Sequence, residues 1–262
     1  MSDDRHIYSR GEKLIGVEDV SKLFRLRGEE VHALRDISVD ICSGEYLSIM
    51  GPSGSGKTTL FNMIGALDKP SRGRVVIGML DLTKLTSRQL AYVRCNYIGY
   101  IFQSYNLIPS LTALKNVALA NTYTGASDQE ADEAAKNALE KVGLGHRLHH
   151  RPDEVSGGQQ QRIAIARALV NEPSIILADE PTANLDFKTG ADIIKILKGL
   201  SVDQGVTIIT ATHDHKMLAN SDRVVWIRDG AIDHIDNRDD LHIDEGAVSS
   251  IGGGDDLDEL LK

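Results

Sequence analysis

The sequence predicts an α/β fold: a parallel sheet covered on both faces, with a helical insertion at about residues 104–156. Three observations carry this. Near-continuous apolar runs of strand length occur at "YLSIM" (46–50), "SIILA" (174–178) and "VTIITAT" (206–212), as in strands buried on both faces. Helical patterns lie between them. Each run also ends in residues able to do chemistry, at the strand ends where open α/β sheets bind ligands.

Composition sets the frame. Of 262 residues, 41% are hydrophobic and 26% charged, ordinary values for a globular chain. No apolar run approaches the roughly 20 residues that cross a bilayer. The opening "MSDDRHIYSR" has no apolar core of the signal-peptide kind, so the expected location is the cytoplasm. Cys42 and Cys95 lack metal or redox spacing and read as buried, reduced thiols. The net charge of −9 is uneven: residues 236–262 carry nine acidic and two basic side chains, which leaves residues 1–235 near neutral. A body without a basic excess argues against nucleic acid as a partner. The expected division is one domain over 1–235 and a solvated, mobile acidic tail over 236–262.

Along the chain, "ISVDI" (37–41) alternates apolar and polar, a strand with one wet face. "YLSIM" then opens into "GPSGSGKTT", Gly51 to Thr59. This fits G-x-x-x-x-G-K-[ST], follows a strand and opens a helix, the context that makes it a phosphate-binding P-loop. Gly51, Gly54 and Gly56 let backbone N–H groups converge on phosphate oxygens, and the helix adds its positive end. Lys57 is placed to reach the β- and γ-phosphates, and Thr58 to offer its hydroxyl to Mg²⁺. Ser53, Ser55 and Thr59 are secondary phosphate contacts.

The clearest helix is Ser127 to Val142. There "SDQE" forms a capping box, Ala131, Ala134, Ala135, Ala138, Leu139 and Val142 make one apolar stripe, and Gly143 and Gly145 stop it. Further on, "VSGGQQQR" (155–162) places Gly157 and Gly158 at a helix start, although Gly costs about 1 kcal/mol in a helix relative to Ala. Ser156 and Gln159 make a capping box, which accounts for those two residues but not for the glycines. Bare backbone at a helix N-terminus is an anion site. A phosphate held by the P-loop of one chain can be met by such a tip from a neighbouring chain, which requires a dimer with ATP between its subunits.

The second buried run ends in "ADEP". Asp179 suits a Mg²⁺ shell, and Glu180 is the candidate to polarise an attacking water. The third run ends at His213, able to bridge Glu180 and the γ-phosphate; a satisfied structural histidine is the plain alternative. His149, His150 and His215 read as surface residues.

P-loop, Gln103 in "IFQS", S-G-G-Q, apolar-D-E and His, in this order, resemble the ATP-binding-cassette (ABC) ATPase family over residues 14–235. The resemblance implies a RecA-like P-loop NTPase core with a mostly parallel sheet, an N-terminal antiparallel β subdomain and a helical insertion leading to the signature motif. It implies ATP and Mg²⁺ as cofactors, and places Ser156, Gly157, Gly158 and Gln159 on the γ-phosphate held by the opposite subunit. Gln103 would touch the metal or the lytic water, and Lys57, Gln103, Glu180 and His213 would carry catalysis. "ANLD" (183–186) resembles the loop that couples the two sites across the dimer. Phe24, in "SKLFRLRG", stands where the family stacks an aromatic on adenine, and Val155 where Leu is more frequent.

Longer stretches, among them "FQSYNLIPSLTALKNV" and "EPTANLD", resemble the stand-alone ATPases of lipoprotein-release, macrolide-export and cell-division systems. That branch implies a separate membrane permease docking near Ser104–Asn116; the second cassette of the dimer is either another copy of this chain or a paralogue. The chain would then lie on the inner face of the cell membrane, held there by its partner. Two alternatives stay open here: an ATPase driving a membrane partner that moves no solute, and a soluble ABC ATPase of DNA repair, translation or cluster assembly. Members of the latter group commonly carry coiled-coil arms or nucleic-acid modules, and no such segment is visible. A P-loop kinase or GTPase leaves S-G-G-Q unexplained.

Overall fold

Two larger sheets, a two-stranded one and seven α-helices are found among the described residues. The computed structural model describes residues 8–26, 28–213, 215–244 and 247–250. An antiparallel sheet pairs β1 (Lys13–Leu26) with β2 (Glu29–Cys42), and adds β4 (Arg72–Ile77) and β5 (Leu80–Asp81) in the order β2-β1-β4-β5. The six-stranded central sheet holds β3 (Tyr46–Met50), β6 (Ile98–Ile101), β7 (Ile175–Asp179), β8 (Thr207–Ala211), β9 (Arg223–Arg228) and β10 (Ala231–Asn237). Its order is β10-β9-β3-β8-β7-β6, parallel except for β10. The helices are α1 (Lys57–Ile64), α2 (Ser87–Tyr97), α3 (Ala113–Thr122), α4 (Asp128–Lys141), α5 (Gly157–Leu169), α6 (Phe187–Gln204) and the short α7 (His215–Leu218).

Alternation along the central strands decides the layering, because successive side chains point to opposite faces. Leu47, Ile49, Ile175, Leu177 and Ile209 pack toward the antiparallel sheet, α1 and α2. Tyr46, Ile176, Ala178 and Ile208 pack the other way, against α3 to α6. Both faces are dry, which is why these strands read as unbroken apolar runs. β2 instead alternates buried and exposed through Ile37, Val39 and Ile41, its other face in water.

The helical insertion is α3 and α4 with their connections. Ser127 caps α4 through a complete box with Glu130. Ala131, Ala135, Ala138 and Leu139 are buried, with Val142 at the C-cap, while Ala134 is only half-buried. Small side chains on that stripe let α4 lie close on its neighbours, and Lys115 of α3 bridges Asp132 of α4 at 2.8 Å.

Two expectations change, those for the cysteines and for His150. Cys42 and Cys95 are free thiols but half-buried rather than buried. Strand structure continues past residue 235. β10 runs to Asn237, Asp236 accepts the Trp226 indole N–H at 2.8 Å, and a hairpin of β11 (Leu241–Asp244) and β12 (Ala247–Ser250) follows. The tail residues 251–262 lie outside the described residues. His150 is not a plain surface residue: half-buried, it meets Arg147 at 2.8 Å and its carbonyl accepts the Ala113 N–H at the start of α3. The side chain of His215 lies outside the described residues.

Candidate functional site

The glycine-rich loop after β3 is shaped by close backbone approaches. β3 ends at Met50, and Gly51 turns at φ +152 with its missing Cβ position 2.1 Å from the Ile227 carbonyl oxygen of β9. Any side chain at Gly51 would push the loop off the sheet. Gly56, at φ +108, has its missing Cβ position 2.6 Å from the carbonyl oxygen of Ala33, and it opens α1 with no side-chain cap. The first-turn N–H groups of α1 therefore have no side-chain partner and offer an anion site backed by the helix dipole. Lys57 folds back so that its ammonium donates to the carbonyls of Gly51 at 2.6 Å and Pro52 at 3.0 Å. This holds a full positive charge at the mouth of the loop.

β7 delivers the carboxylates. Asp179 ends the strand, and Glu180 enters the left-handed region at φ +46, a conformation that costs a non-glycine residue roughly 1–2 kcal/mol. The turn is fixed by Glu180 N–H donating to the Ala211 carbonyl at 2.8 Å. It aims the Glu180 side chain back at the end of β8. There Thr212 donates to one carboxylate oxygen at 3.2 Å and His213 Nδ1 meets the other at 2.7 Å. An ionised carboxylate only accepts, so Nδ1 carries the proton and Nε2 is left for a second partner. Burial pushes the Asp179 carboxyl above its ordinary range; Glu180 adds to that, and Lys57 pulls the other way.

One cleft of about 730 Å³ collects these groups. Gly51, Ser53, Gly54, Gly56, Lys57, Thr58, Thr59, Gln103, Asp179, Glu180 and His213 all line it. Two of the sequence candidates behave differently. The Ser55 hydroxyl is buried without a hydrogen-bond partner, turned under the loop beside Gly51, and Ser55 does not line the cleft. Phe24 does not line the cleft. It stands opposite Val31 in the β1–β2 hairpin, and Val31 does line it. Phe24 is exposed rather than part of the core, and the Lys22 ammonium lies 5.1 Å from its ring centre.

Ser156, Gly157, Gly158 and Gln159 are outside that cleft, at the N-terminus of α5. The capping box is complete: Ser156 N–H donates to Gln159 Oε1 at 3.0 Å, and Gln159 N–H to Ser156 Oγ at 3.3 Å. Gly158 has a second reason to be glycine, since its missing Cβ position lies 2.3 Å from the Thr189 methyl of α6. Bare backbone here also lets two helices cross closely.

Comparison with known proteins bears on this arrangement directly. The ABC transporter family matches residues 34–183. An uncharacterized ABC transporter ATP-binding protein of Thermotoga maritima is 49% identical over 87% of this chain and 97% of its own length. The chain belongs to the ABC transporter family. The macrolide export ATP-binding/permease protein MacB of Syntrophobacter fumaroxidans is 44% identical over 84% of this chain, which spans only 31% of that relative. Among solved structures, a dimeric post-hydrolysis state of the cassette MJ0796 bound to ADP and Pi superposes with a TM-score of 0.80 at 41% identity, covering 86% of this chain and 99% of that one. MJ0796 is an uncharacterized ABC transporter ATP-binding protein of Methanocaldococcus jannaschii.

The chain is thus an ATP-binding, ATP-hydrolysing subunit of an ABC transporter. No helix among the described residues is long and apolar enough to cross a membrane. Some residues of the cassette site carried no local signal in the sequence. Val31, His32 and Ala33 line the cleft because β2 folds over the P-loop. Asn184 of the "ANLD" loop donates to the Gln103 carbonyl at 2.8 Å, and Gln161 of α5 to the Pro181 carbonyl at 2.8 Å. Gln161 was readable only as the third of three glutamines after the signature glycines.

Proposed function

We propose that two copies of this cassette close on two ATP molecules, each gripped by the P-loop of one copy and the Ser156–Gln159 tip of the other. The observation that carries this reading is a division within one chain. Lys57, Asp179, Glu180 and His213 share a cleft, while an anion-ready helix tip stands outside it, unused by its own nucleotide site. The dimeric neighbour bound to ADP and Pi supports the same reading.

In this reading Lys57 and the first-turn N–H groups of α1 hold the β- and γ-phosphates. Glu180, oriented by Thr212 and His213, accepts a proton from the attacking water. His213 uses its second nitrogen to sense the terminal phosphate. The Thr58 hydroxyl and the Asp179 carboxylate, with Gln103 nearby, fit Mg²⁺, which takes hard oxygen ligands and only one or two carboxylates beside substrate phosphates. When bound, the ion neutralises phosphate charge. Phe24 offers a ring face to adenine from its place beside Val31.

The membrane partner docks on the loop from Ser104 to Asn116, and through it the cassette sits on the inner face of the membrane. Ser104, Asn106, Ile108, Pro109 and Ser110 are exposed there. Asn116 itself is buried, fixing the loop through hydrogen bonds to Ile108, Leu111 and Thr112. Size-exclusion chromatography of Glu180→Gln with ATP and Mg²⁺ tests the composite site. A dimer that forms only with nucleotide and is lost on chelation is expected; a monomer under all conditions overturns the proposal.

A further inference from the structure

The loop after Gln103 is strapped to the signature helix along much of that helix's length. Tyr105 and Asn106 are consecutive left-handed residues, at φ +60 and +49, a pair that persists only where the surroundings impose it. Beside the local turn bonds, Tyr105 N–H to the Phe102 carbonyl at 3.0 Å and Asn106 N–H to the Ser104 carbonyl at 2.6 Å, the restraint from outside the loop is Arg167 in the last turn of α5. Its guanidinium donates from Nη1 to the Asn106 carbonyl at 2.5 Å and from Nη2 to the Tyr105 carbonyl at 2.7 Å. A helical side chain leans toward the helix N-terminus, so this fork reaches back over α5. Tyr105 carries the link further, its hydroxyl 3.3 Å from the point where a Cβ would stand on Gly157. The loop is also held at both ends: Gln103 by Asn184, and Ile108 by Asn116. Burial pushes the Arg167 guanidinium below its ordinary pKa, and a buried charge is costly unless its hydrogen bonds are met.

We infer that Arg167 is a positioning residue whose two-pronged grip on Tyr105 and Asn106 makes the Gln103 loop and the Ser156 tip move as one body. A push on the exposed loop is then delivered to the signature tip instead of being absorbed in a flexible turn. The consequence for turnover rests on the composite-site reading above. The mechanical coupling itself does not.

Hydrogen exchange of full-length, nucleotide-free Arg167→Lys tests the coupling in the monomer. Lysine keeps the charge but cannot bridge two carbonyls with a planar fork. Amides of 104–108 and of 157–161 are expected to exchange faster together, by about tenfold, the loss of roughly one charge-assisted hydrogen bond. In steady-state assays KM for ATP stays within about twofold while kcat falls about tenfold, the signature of an interaction made after binding. Faster exchange confined to 104–108, with the tip as protected as in the parent, overturns the inference; so does a raised KM with unchanged kcat. Arg167→Gln, which keeps an N–H₂ donor and drops the charge, gives the same readout should the lysine variant fail to fold. If Glu180→Gln of the parent stays monomeric with ATP, the composite site fails, while the exchange measurement still decides the coupling.

Discussion

Two residues show how single positions serve both fold and chemistry. Gly158 is needed by packing, because Thr189 stands against it and is itself fixed by its hydroxyl hydrogen bond to Asp186 at 2.6 Å. Gly158→Ala is expected to cost about 1–3 kcal/mol of stability through that overlap. Thr189→Ser in the same chain removes the methyl, keeps the hydroxyl, and should bring denaturant midpoints back to within about 0.5 kcal/mol of the parent. ATP-dependent dimerisation should stay impaired in the double variant, because the tip still carries a methyl where a phosphate must approach. Recovery of both stability and dimerisation would reduce Gly158 to a packing residue. Asp179 illustrates the opposite bias. Its carboxyl pKa is raised by burial and by Glu180, so the folded state resists its ionisation. That penalty is absent below the ordinary value of 3.8, grows as pH rises toward the raised value, and is complete above it. Asp179→Asn is therefore expected to melt higher than the parent near neutral pH without nucleotide, with the gap closing at low pH, while hydrolysis is lost. Equal melting temperatures across that range would contradict the assigned burial cost.

At the scale of elements, stability and function are drawn from different parts. α4 carries no candidate site residue, and its start depends on the Ser127–Glu130 box. Ser127→Ala should lower unfolding free energy by about 1 kcal/mol and leave KM for ATP unchanged. A change in nucleotide affinity would mean that the insertion is not a separate lever. The box, the alanine stripe and the three buried runs were legible in the sequence because each is written within a short window. The P-loop, the Asp179–Glu180 pair and the Ser156–Gln159 box were legible for the same reason. What stayed hidden depends on distant pairing. Asn184 reaches Gln103 from 81 residues away, Arg167 reaches Asn106 from 61, and Val31 enters the cleft only because β2 folds over the loop. The inward turn of Ser55 follows from the phase at which the loop meets α1, and the serine itself gives no sign of it.

For the whole molecule, the proposed arrangement is half of two sites. The central sheet carries the P-loop, Asp179, Glu180 and His213 to one edge, and the helical layer presents the signature tip elsewhere. Neither half is expected to hydrolyse ATP well alone, and in the proposed dimer the partner copy completes both. The family match and the dimeric neighbour agree with that division. The most direct measurement is the distance from Ser156 Oγ to the terminal phosphate in a structure of the ATP-loaded Glu180→Gln protein. Hydrogen-bond contact, about 2.5–3.2 Å, with the phosphate held by Lys57 of the other copy is the predicted result. A closed, nucleotide-loaded pair in which Ser156 touches no phosphate would contradict it.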